Sequence, residues 1–165
     1  MPFPPLRERY ERLSETLQIC LQMWSDDNGP FVGKHFQLAE TLCSPPPVSS
    51  PRPRILIGGG GERKTLRLVA TYADACNFIG DVDVVAHKVD VLRRHCEQVG
   101  RDPEEIEVTA LAHVAEDAGA DAILRQAEEF AAVGVQAMVI RSTGPDPTRW
   151  LRETWAPLVP RLADL

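Results

Sequence analysis

The sequence lacks the features that mark several specialised classes of protein. No apolar run is long enough to cross a bilayer, and the first residues, MPFPPLRERYERL, contain no apolar stretch of the signal-peptide kind. Basic residues are not in excess, since the formal net charge is −6, which argues against a nucleic-acid-binding domain. We therefore expect a cytoplasmic protein that binds neither nucleic acid nor a membrane.

Cysteine is sparse and scattered along the chain. The four residues, Cys20, Cys43, Cys76 and Cys96, form no C-x-x-C pair, and no cluster of histidines lies beside them. Metal sites built on cysteine need closely spaced ligands, so we expect no metal site. The pattern favours reduced thiols, some of them buried as small apolar side chains.

What is present is the composition of an ordinary globular domain. The 165 residues, 44% of them hydrophobic, are sufficient for one structural domain with an apolar core. Apolar residues recur every three or four positions from Leu6 to Trp24, which predicts a helix. Residues 31–53 look irregular, because CSPPPVSSPRP is rich in proline and only HFQLAE suggests a short strand. We therefore predict a helix and an irregular connector over residues 1–53.

Residues 54–165 alternate regularly between strand and helix patterns. Strands are predicted at 54–58, 75–79, 106–115 and 137–140, and helices at 62–72, 82–99, 120–133 and 147–162. Four consecutive βα units predict an α/β fold with a parallel sheet and right-handed crossovers. Such units form either an open doubly wound sheet or half of an eight-stranded (β/α) barrel, and the pattern alone does not decide between them.

A run of four glycines, at positions 58–61, stands where the first predicted strand meets its helix. Glycine loses more conformational freedom than any other residue, so its repetition here indicates a required backbone shape. Parallel α/β proteins bind ligands at the carboxyl ends of their strands, and the free N–H groups of a helix N-terminus bind anions. We therefore predict a phosphate-type site, to which Arg63, Lys64 and Thr65 add charge and a hydroxyl. A tight turn without a ligand is the alternative interpretation.

Two well-known phosphate motifs do not match this run. A Walker A loop needs glycine directly before Lys-Ser/Thr, whereas here Arg63 precedes Lys64 and Thr65. The dinucleotide pattern G-x-G-x-x-G also fails, because its sixth position would be Arg63 when counted from Gly58 and Lys64 when counted from Gly59. The predicted site is therefore neither a nucleoside triphosphate loop nor a standard NAD loop.

Longer segments of the chain resemble a known family. The resemblance lies in RERYERLSETLQICLQMWSDDNGPFVGKHFQLAE, PRPRILIGGGGERKTLRLVATYADACNFIG, HKVDVLRRHCEQVGRDPEEIEVT and GVQAMVIRSTGPDPTRWLRETWAPLVPRL. Together these resemble the luciferase-like monooxygenases, and in particular the actinobacterial oxidoreductases of that family that use a deazaflavin. The resemblance implies a (β/α) barrel that binds its coenzyme at the carboxyl ends of the strands, which favours the half-barrel over the doubly wound sheet.

The resemblance also implies a coenzyme and the residues that hold it. We expect the deazaflavin coenzyme F420, with FMN as the alternative, in an enzyme that transfers hydride between the coenzyme and a small-molecule substrate. In the family, the loop after the fifth strand and the start of the following helix hold the coenzyme phosphate. The matching positions in this sequence are Gly58, Gly59, Gly60, Gly61, Glu62, Arg63 and Thr65, with Asn77 of the next strand as a further candidate.

The resemblance is confined to the second half of the family's length. The first four strands, which carry the residues for the coenzyme ring and the substrate, have no counterpart, so no catalytic residue is assigned. We expect an isolated domain, a truncated gene product or the product of a mis-assigned start. A half-barrel exposes strand edges and an apolar inner face, which predicts a homo-oligomer. The alternative function is a catalytically inactive half-barrel that self-associates and binds at most an anion.

Some aromatic residues are candidates by their type alone. Trp24, Trp150 and Trp155 occur at core spacing on predicted helices, so packing is favoured over stacking against a ligand ring. His113 is placed in the third predicted strand, where a histidine can face the inside of a barrel. A core histidine with satisfied hydrogen bonds is the favoured interpretation of His113, and a chemical role is the alternative.

Two polar pairs follow the third and fourth predicted strands. Glu116 and Asp117 form a carboxylate pair of the kind that can transfer protons, but capping of the next helix is favoured. Arg141 and Ser142 follow the fourth strand, where barrels often place a phosphate loop, and form a secondary candidate for a ligand loop.

Overall fold

The computed structural model describes residues 3–115, 117–141 and 144–165 of the chain. These residues divide into two compact units, with the boundary between Arg54 and Ile55, one residue beyond the predicted boundary. That the two units make one structural domain stays a prediction. Within the described ranges, no helix is both long enough and apolar enough to span a membrane.

The first unit contains the predicted helix and a small antiparallel ribbon. Helix α1 spans Leu6–Met23, and the ribbon pairs β1, Phe31–Val32, with β2, Gln37–Leu38. The segment HFQLAE therefore does contribute a short strand, whose partner lies just before it in sequence. The proline-rich segment at 44–53 forms no helix or strand.

The second unit is the alternating part of the chain. Its strands are β3 (Leu56–Gly58), β4 (Ala75–Ile79), β5 (Glu107–Ala112) and β6 (Ala137–Ile140). Its helices are α2 (Thr65–Tyr72), α3 (Val82–Val99), α4 (Ala120–Ala132), α5 (Pro147–Trp150) and α6 (Val159–Leu162), with a short 3-10 turn at Pro103–Glu105. The predicted α/β class with four consecutive βα units is confirmed.

The four strands form one parallel sheet in the order β3-β4-β5-β6. Each strand pairs with its neighbours in sequence, so the order does not reverse as it does at the switch point of a doubly wound sheet. Right-handed crossovers between such strands place the helices on one side of the sheet. The sheet is therefore organised like part of a barrel wall.

The two faces of the sheet differ in their exposure. On one face, the apolar side chains are buried, including those of Ile57, Cys76, Phe78, Val108 and Ala110. Alternate residues of each strand point to the opposite face. There, Leu56, Ile79 and Val139 are 56%, 62% and 49% exposed. One face therefore carries the core of the unit, and the other leaves apolar side chains uncovered.

The structure corrects the predicted last helix. A continuous helix was predicted over 147–162, but the described chain forms α5, then a wider π turn at Leu151–Trp155, and then α6. The amide of Ala156 donates to the carbonyl of Leu151, five residues back, at 2.9 Å. Pro157 explains the change, because proline lacks an N–H and its ring clashes with the carbonyl four residues earlier. The start of this segment is as predicted, since the Asp146 side chain accepts from the Arg149 amide at 2.9 Å.

Packing accounts for two of the tryptophans. Trp150 and Trp155 are both buried, and their rings meet edge to face with centroids 5.5 Å apart. They belong to an apolar cluster with Ile123, Leu124 and Leu158. The predicted core role of Trp150 and Trp155 is therefore confirmed, while Trp24 is half-buried at the end of α1.

Candidate functional site

The glycine run leaves the carboxyl end of β3 and crosses to the start of α2. Gly58 is the last residue of β3 and lies beside Asn77 of β4 in the sheet register. The amide of Gly59 donates to the carbonyl of Asn77 at 3.0 Å. Gly59 has a φ of +115°, which side chains of L-residues rarely permit, so this position needs glycine. The run therefore turns sharply at the strand end, as predicted.

The loop is longer than the sequence predicted. Helix α2 begins at Thr65 rather than at Glu62, so Glu62, Arg63 and Lys64 belong to the loop. The carbonyl of Gly61 accepts from the amide of Leu66 at 3.0 Å, which joins the glycine run to the first turn of the helix. Residues 58–64 together form what we call the glycine loop.

Backbone donors in the glycine loop are available to a ligand. Among the described residues, none accepts a hydrogen bond from the N–H of Gly60 or Gly61. Thr65, at the first position of α2, is buried, whereas Arg63 is exposed at the loop surface. Free amides next to a helix N-terminus form an environment that favours an anion. The main chain of the loop therefore offers hydrogen-bond donors of the kind that suit an anion, and Arg63 lies close by in sequence.

Helix α3 supplies three side chains that hold the loop residue Glu62. Lys88 Nζ lies 2.5 Å from Glu62 Oε1, and His87 Nε2 lies 3.1 Å from the same oxygen. His95 Nε2 lies 2.7 Å from the backbone carbonyl oxygen of Glu62. A carbonyl oxygen only accepts, so this contact requires Nε2 of His95 to carry a proton. Three side chains of one helix thus fix the position of the loop.

The charge of Glu62 follows from these contacts. The hydrogen bond from Lys88 lowers the pKa of Glu62 below its ordinary value, and His87 lowers it further, against the opposing effect of burial. The carboxylate is therefore ionised at neutral pH and would repel a phosphate. If Glu62 contributes to an anion site, it does so through its backbone, and its side chain serves to anchor the loop.

Asn77 faces away from the helix-covered side of the sheet. Its Nδ2 donates to the hydroxyl of Thr109 on β5 at 2.7 Å, and that hydroxyl donates to the carbonyl of Cys76 at 2.8 Å. Asn77 is thus adjacent to the glycine run, as predicted, but its side chain is engaged within the sheet. The sequence analysis assigned eight residues to the coenzyme, and their binding to it stays a prediction.

The other candidates lie elsewhere or have other roles. The predicted placement of His113 in a strand, as a core histidine, is wrong, because β5 ends at Ala112, opposite Ile140, and the histidine side chain is exposed beyond the paired region. Helix capping by Asp117 is also wrong, because Gly119 is the N-cap of α4 and no side-chain cap is formed there. Glu116 lies outside the described residues.

The remaining candidates are the loop after β6 and the buried cysteines. Arg141 follows β6 and is exposed, and Ser142 lies outside the described residues. Burial raises the pKa of the Cys76 thiol to about 12 and also raises that of Cys96, so both stay protonated. In the described part of the chain, no group of three or more histidine, cysteine, aspartate or glutamate residues is arranged to hold a metal ion.

A mainly apolar cavity lies away from the glycine loop. It lies beside β6, at the opposite edge of the sheet from β3, and has a volume of about 750 Å³. Its lining is mainly apolar and includes Phe130, Met138 and Trp155. An apolar lining does not suit a phosphate, so size alone does not identify the anion site.

Comparison with known proteins identifies related sequences and folds. The sequence model of the luciferase-like monooxygenases matches residues 3–162. The pyrimidine monooxygenase RutA of Acinetobacter baylyi is 32% identical over 100 residues, which are 58% of this chain and 26% of that protein. The chain thus spans about a quarter of the length of this curated relative.

Solved structures show the same architecture at low sequence identity. An F420-dependent secondary alcohol dehydrogenase in complex with an F420–acetone adduct matches with a TM-score of 0.80 and 15% identity, over 94% of this chain and 63% of that one. A riboflavin lyase with modified FMN and riboflavin matches with a TM-score of 0.61 and 12% identity, over 81% of this chain and 34% of that one. At these identities the likeness is one of fold, and the fold is that of luciferase-like TIM-barrel enzymes.

Proposed function

Because the chain belongs to the luciferase-like monooxygenase family, we propose that it forms the coenzyme-phosphate-binding part of a flavin-type oxidoreductase. The proposed coenzyme is F420, with FMN as the alternative, since the similar folds include enzymes described with each. The proposed reaction is hydride transfer between the coenzyme and a small-molecule substrate. The coenzyme would supply the redox chemistry, and the protein would bind and orient it.

One observation carries this proposal. The glycine loop turns at the carboxyl end of β3, and no described residue accepts from the amides of Gly60 and Gly61, which Glu62, Arg63 and Lys64 separate from the N-terminus of α2. A phosphate fits such a place because the amides donate to its oxygens and the helix dipole favours negative charge. A Cβ added to Gly60 would lie 3.3 Å from Lys88 Cε, so the missing side chain leaves room for Lys88 beside the loop. The proposed phosphate ligands are the amides of Gly60 and Gly61, with Arg63 and Thr65 beside them.

Titration of the full chain with F420 and with FMN, followed by coenzyme fluorescence, tests this proposal. We expect saturable binding that is lost in a Gly60→Asp variant, because the new side chain would project toward Lys88, with its Cβ 3.3 Å from Lys88 Cε, and would place a negative charge beside the proposed phosphate site. The matched control is Gly119→Asp at the N-cap of α4, where nothing lies within 4 Å of an added Cβ. If neither coenzyme binds, or if both substitutions act alike, the proposed phosphate site is wrong.

A specific observation supports self-association as a second function of the chain. The open sheet face presents Leu56, Ile79 and Val139 to solvent, and the edges of β3 and β6 have no described strand beside them. Uncovered edges and apolar faces promote pairing with another chain. We propose a second copy of this chain as the partner, because two sets of four parallel strands supply the eight that a closed barrel needs.

The mass of the particle in solution tests the second function. Light scattering after size-exclusion chromatography should give a dimer or a larger oligomer of the unmodified chain. Ile79→Lys should shift the mass toward the monomer, because it places a charge on the open face, at the end of the central strand β4. Val99→Lys, which changes a 41% exposed valine on α3, is the matched control and should leave the mass unchanged. A monomeric unmodified chain would remove this function.

A further inference from the structure

We propose that Lys88 is a phosphate-binding residue that Glu62 holds beside the glycine loop until the coenzyme arrives. In the ligand-free chain, Glu62 is the partner of the Lys88 ammonium group. When a phosphate occupies the loop, the ammonium group moves from the Glu62 carboxylate to a phosphate oxygen. This inference rests on the proposed function, and it assigns a charged ligand that lies far from the loop in sequence.

The position of Lys88 is the first argument. A Cβ atom added to Gly60 would lie 3.3 Å from Cε, 3.8 Å from Cδ and 4.0 Å from Cγ of Lys88. The aliphatic part of the side chain therefore runs past the Cα atom of Gly60, one of the two residues whose amides are unpaired among the described residues. The Lys88 side chain is 19% exposed, so its ammonium group is held close to the loop surface rather than extended into solvent.

The exchange of partners needs only a short movement. The Lys88 ammonium group contacts the carboxylate of Glu62, two residues after Gly60. Rotation about the last bonds of a lysine side chain can direct the same group toward a ligand on the amides of Gly60 and Gly61. The protein does not have to rearrange its backbone for this exchange, because the stem of Lys88 is already in place.

The charge of FMN favours its phosphate over the Glu62 carboxylate as the partner of Lys88. The phosphate monoester of FMN carries between about 1.5 and 2 negative charges near neutral pH and has three acceptor oxygens, whereas a carboxylate carries a single charge. Glu62 does not lose every partner, since His87 still reaches its carboxylate and His95 still holds its backbone carbonyl. The loop therefore stays anchored while the lysine changes partner.

The two members of the pair are expected to have opposite effects on binding. Removing the charge of Lys88 takes away an attraction for phosphate. Removing the charge of Glu62 takes away its repulsion of the phosphate. It also takes away the group that competes with the phosphate for Lys88. A pair with a merely structural role would not behave in this way, because breaking it from either side would disturb the loop and weaken binding. The sign of the Glu62 effect therefore separates the two roles.

The experiment compares FMN with riboflavin, which lacks the phosphate, on the full chain. Lys88→Met should weaken FMN binding by about tenfold, through loss of one charge-assisted hydrogen bond, and leave riboflavin binding unchanged. Glu62→Gln should tighten FMN binding, again without an effect on riboflavin. Arg94→Met is the matched control, because it removes one exposed positive charge from the same helix. Thermal unfolding of each variant checks that the fold is retained.

The possible outcomes are distinct. Weaker FMN binding in Lys88→Met together with tighter binding in Glu62→Gln supports the exchange. Equal effects of Lys88→Met and Arg94→Met, or weaker FMN binding in Glu62→Gln, overturn it while leaving the phosphate site of the proposed function in place. If the unmodified chain binds FMN no better than riboflavin, the phosphate site itself fails, and the role of Lys88 fails with it.

Discussion

Residues 3–54 and residues 55–165 are stabilised by different kinds of interaction. Among the described residues of the first unit, Leu17 and Thr41 are the buried side chains. The second unit has an extensive apolar core, in which Phe78 and Phe130 are each 1% exposed. The first unit therefore depends mainly on polar contacts, and the second mainly on apolar burial.

Two carboxylates organise the first unit. Glu15 accepts hydrogen bonds from the backbone amides of Lys34, His35 and Phe36 at 2.9, 2.9 and 3.0 Å. Glu11 lies 2.7 Å from Lys34 Nζ and 2.8 Å from His35 Nε2. Both acids project from α1, one turn apart, so together they fasten the short segment at 34–36 to the helix.

The difference between the two units indicates which of them can hold a binding loop in a defined shape. The glycine loop belongs to the unit with the apolar core, and its anchors Lys88 and His95 extend from α3, whose buried face packs in that core. A ligand-binding loop anchored to a helix that packs in an apolar core is positioned more accurately than a segment anchored to a helix without such a core. We therefore expect disruption of the core, rather than of the first unit, to impair the loop.

The largest expected effect comes from a cavity in the core of the second unit. Phe78→Ala should lower the free energy of unfolding of that unit by about 3 to 5 kcal/mol, because a large buried side chain is lost. Denaturant unfolding followed through amide hydrogen exchange in β4 and β5 measures this. Phe3→Ala, at a 79% exposed phenylalanine of the first unit, is the control and should change stability by less than about 0.5 kcal/mol. Similar effects of both substitutions would contradict the comparison.

Low pH should destabilise the first unit through the protonation of Glu11. Hydrogen bonds from Lys34, His35 and Arg7 lower the pKa of Glu11 from 4.5 to about 2. Because the folded pKa lies below the unfolded one, Glu11 stabilises the unit at pH above 4.5, and this contribution is lost as the pH falls toward 2. Amide signals of residues 31–38, recorded between pH 7 and pH 2, measure the loss.

A variant identifies the group responsible for the acid effect. Glu11→Gln cannot titrate, so the part of the pH dependence that belongs to Glu11 should be absent and the first unit should be less stable at neutral pH. An unchanged pH profile in this variant would show that the ion pairs of Glu11 do not contribute.

The smallest expected effect is local to the segment at 34–36. Glu15→Ala removes the acceptor of three backbone amides, so hydrogen exchange of Lys34, His35 and Phe36 should accelerate while exchange in β4 stays unchanged. Glu128→Ala, at an exposed acid on α4, is the matched control and should alter neither region. Faster exchange in β4 would mean that Glu15 supports more than its own segment.

The two units also differ in how far their structure could be predicted from sequence. Strands β4 and β6 and helix α3 have the predicted bounds. Their signals are local, since an apolar strand pattern or a helical period is bounded by residues such as Asp81, which caps α3, and Gly100, which ends it with a positive φ. In the first unit only α1 has such a pattern. The role of Glu15 depends on contacts about twenty residues away, which no local pattern reveals.

The same distinction applies to the candidate site. The location of the glycine run was predictable, because a strand end followed by glycine and a helix is a local signal. The anchoring of Glu62 was not, because it depends on side chains of α3. A signal for the anchors does exist, since Lys88 and His95 are seven positions apart and so lie on one side of that helix. The sequence alone does not show that this side of the helix contacts Glu62, because that contact forms only in the folded chain.

Amide chemical-shift mapping with FMN tests the central claim that the glycine loop binds a coenzyme phosphate. The account predicts the largest changes at residues 59–65, smaller changes at Lys88, and none in the segment at 34–36. Riboflavin, which lacks the phosphate, should not reproduce the changes at residues 59–65. Changes confined to the apolar cavity beside β6 or to the open sheet face, or identical changes with both ligands, would contradict the account.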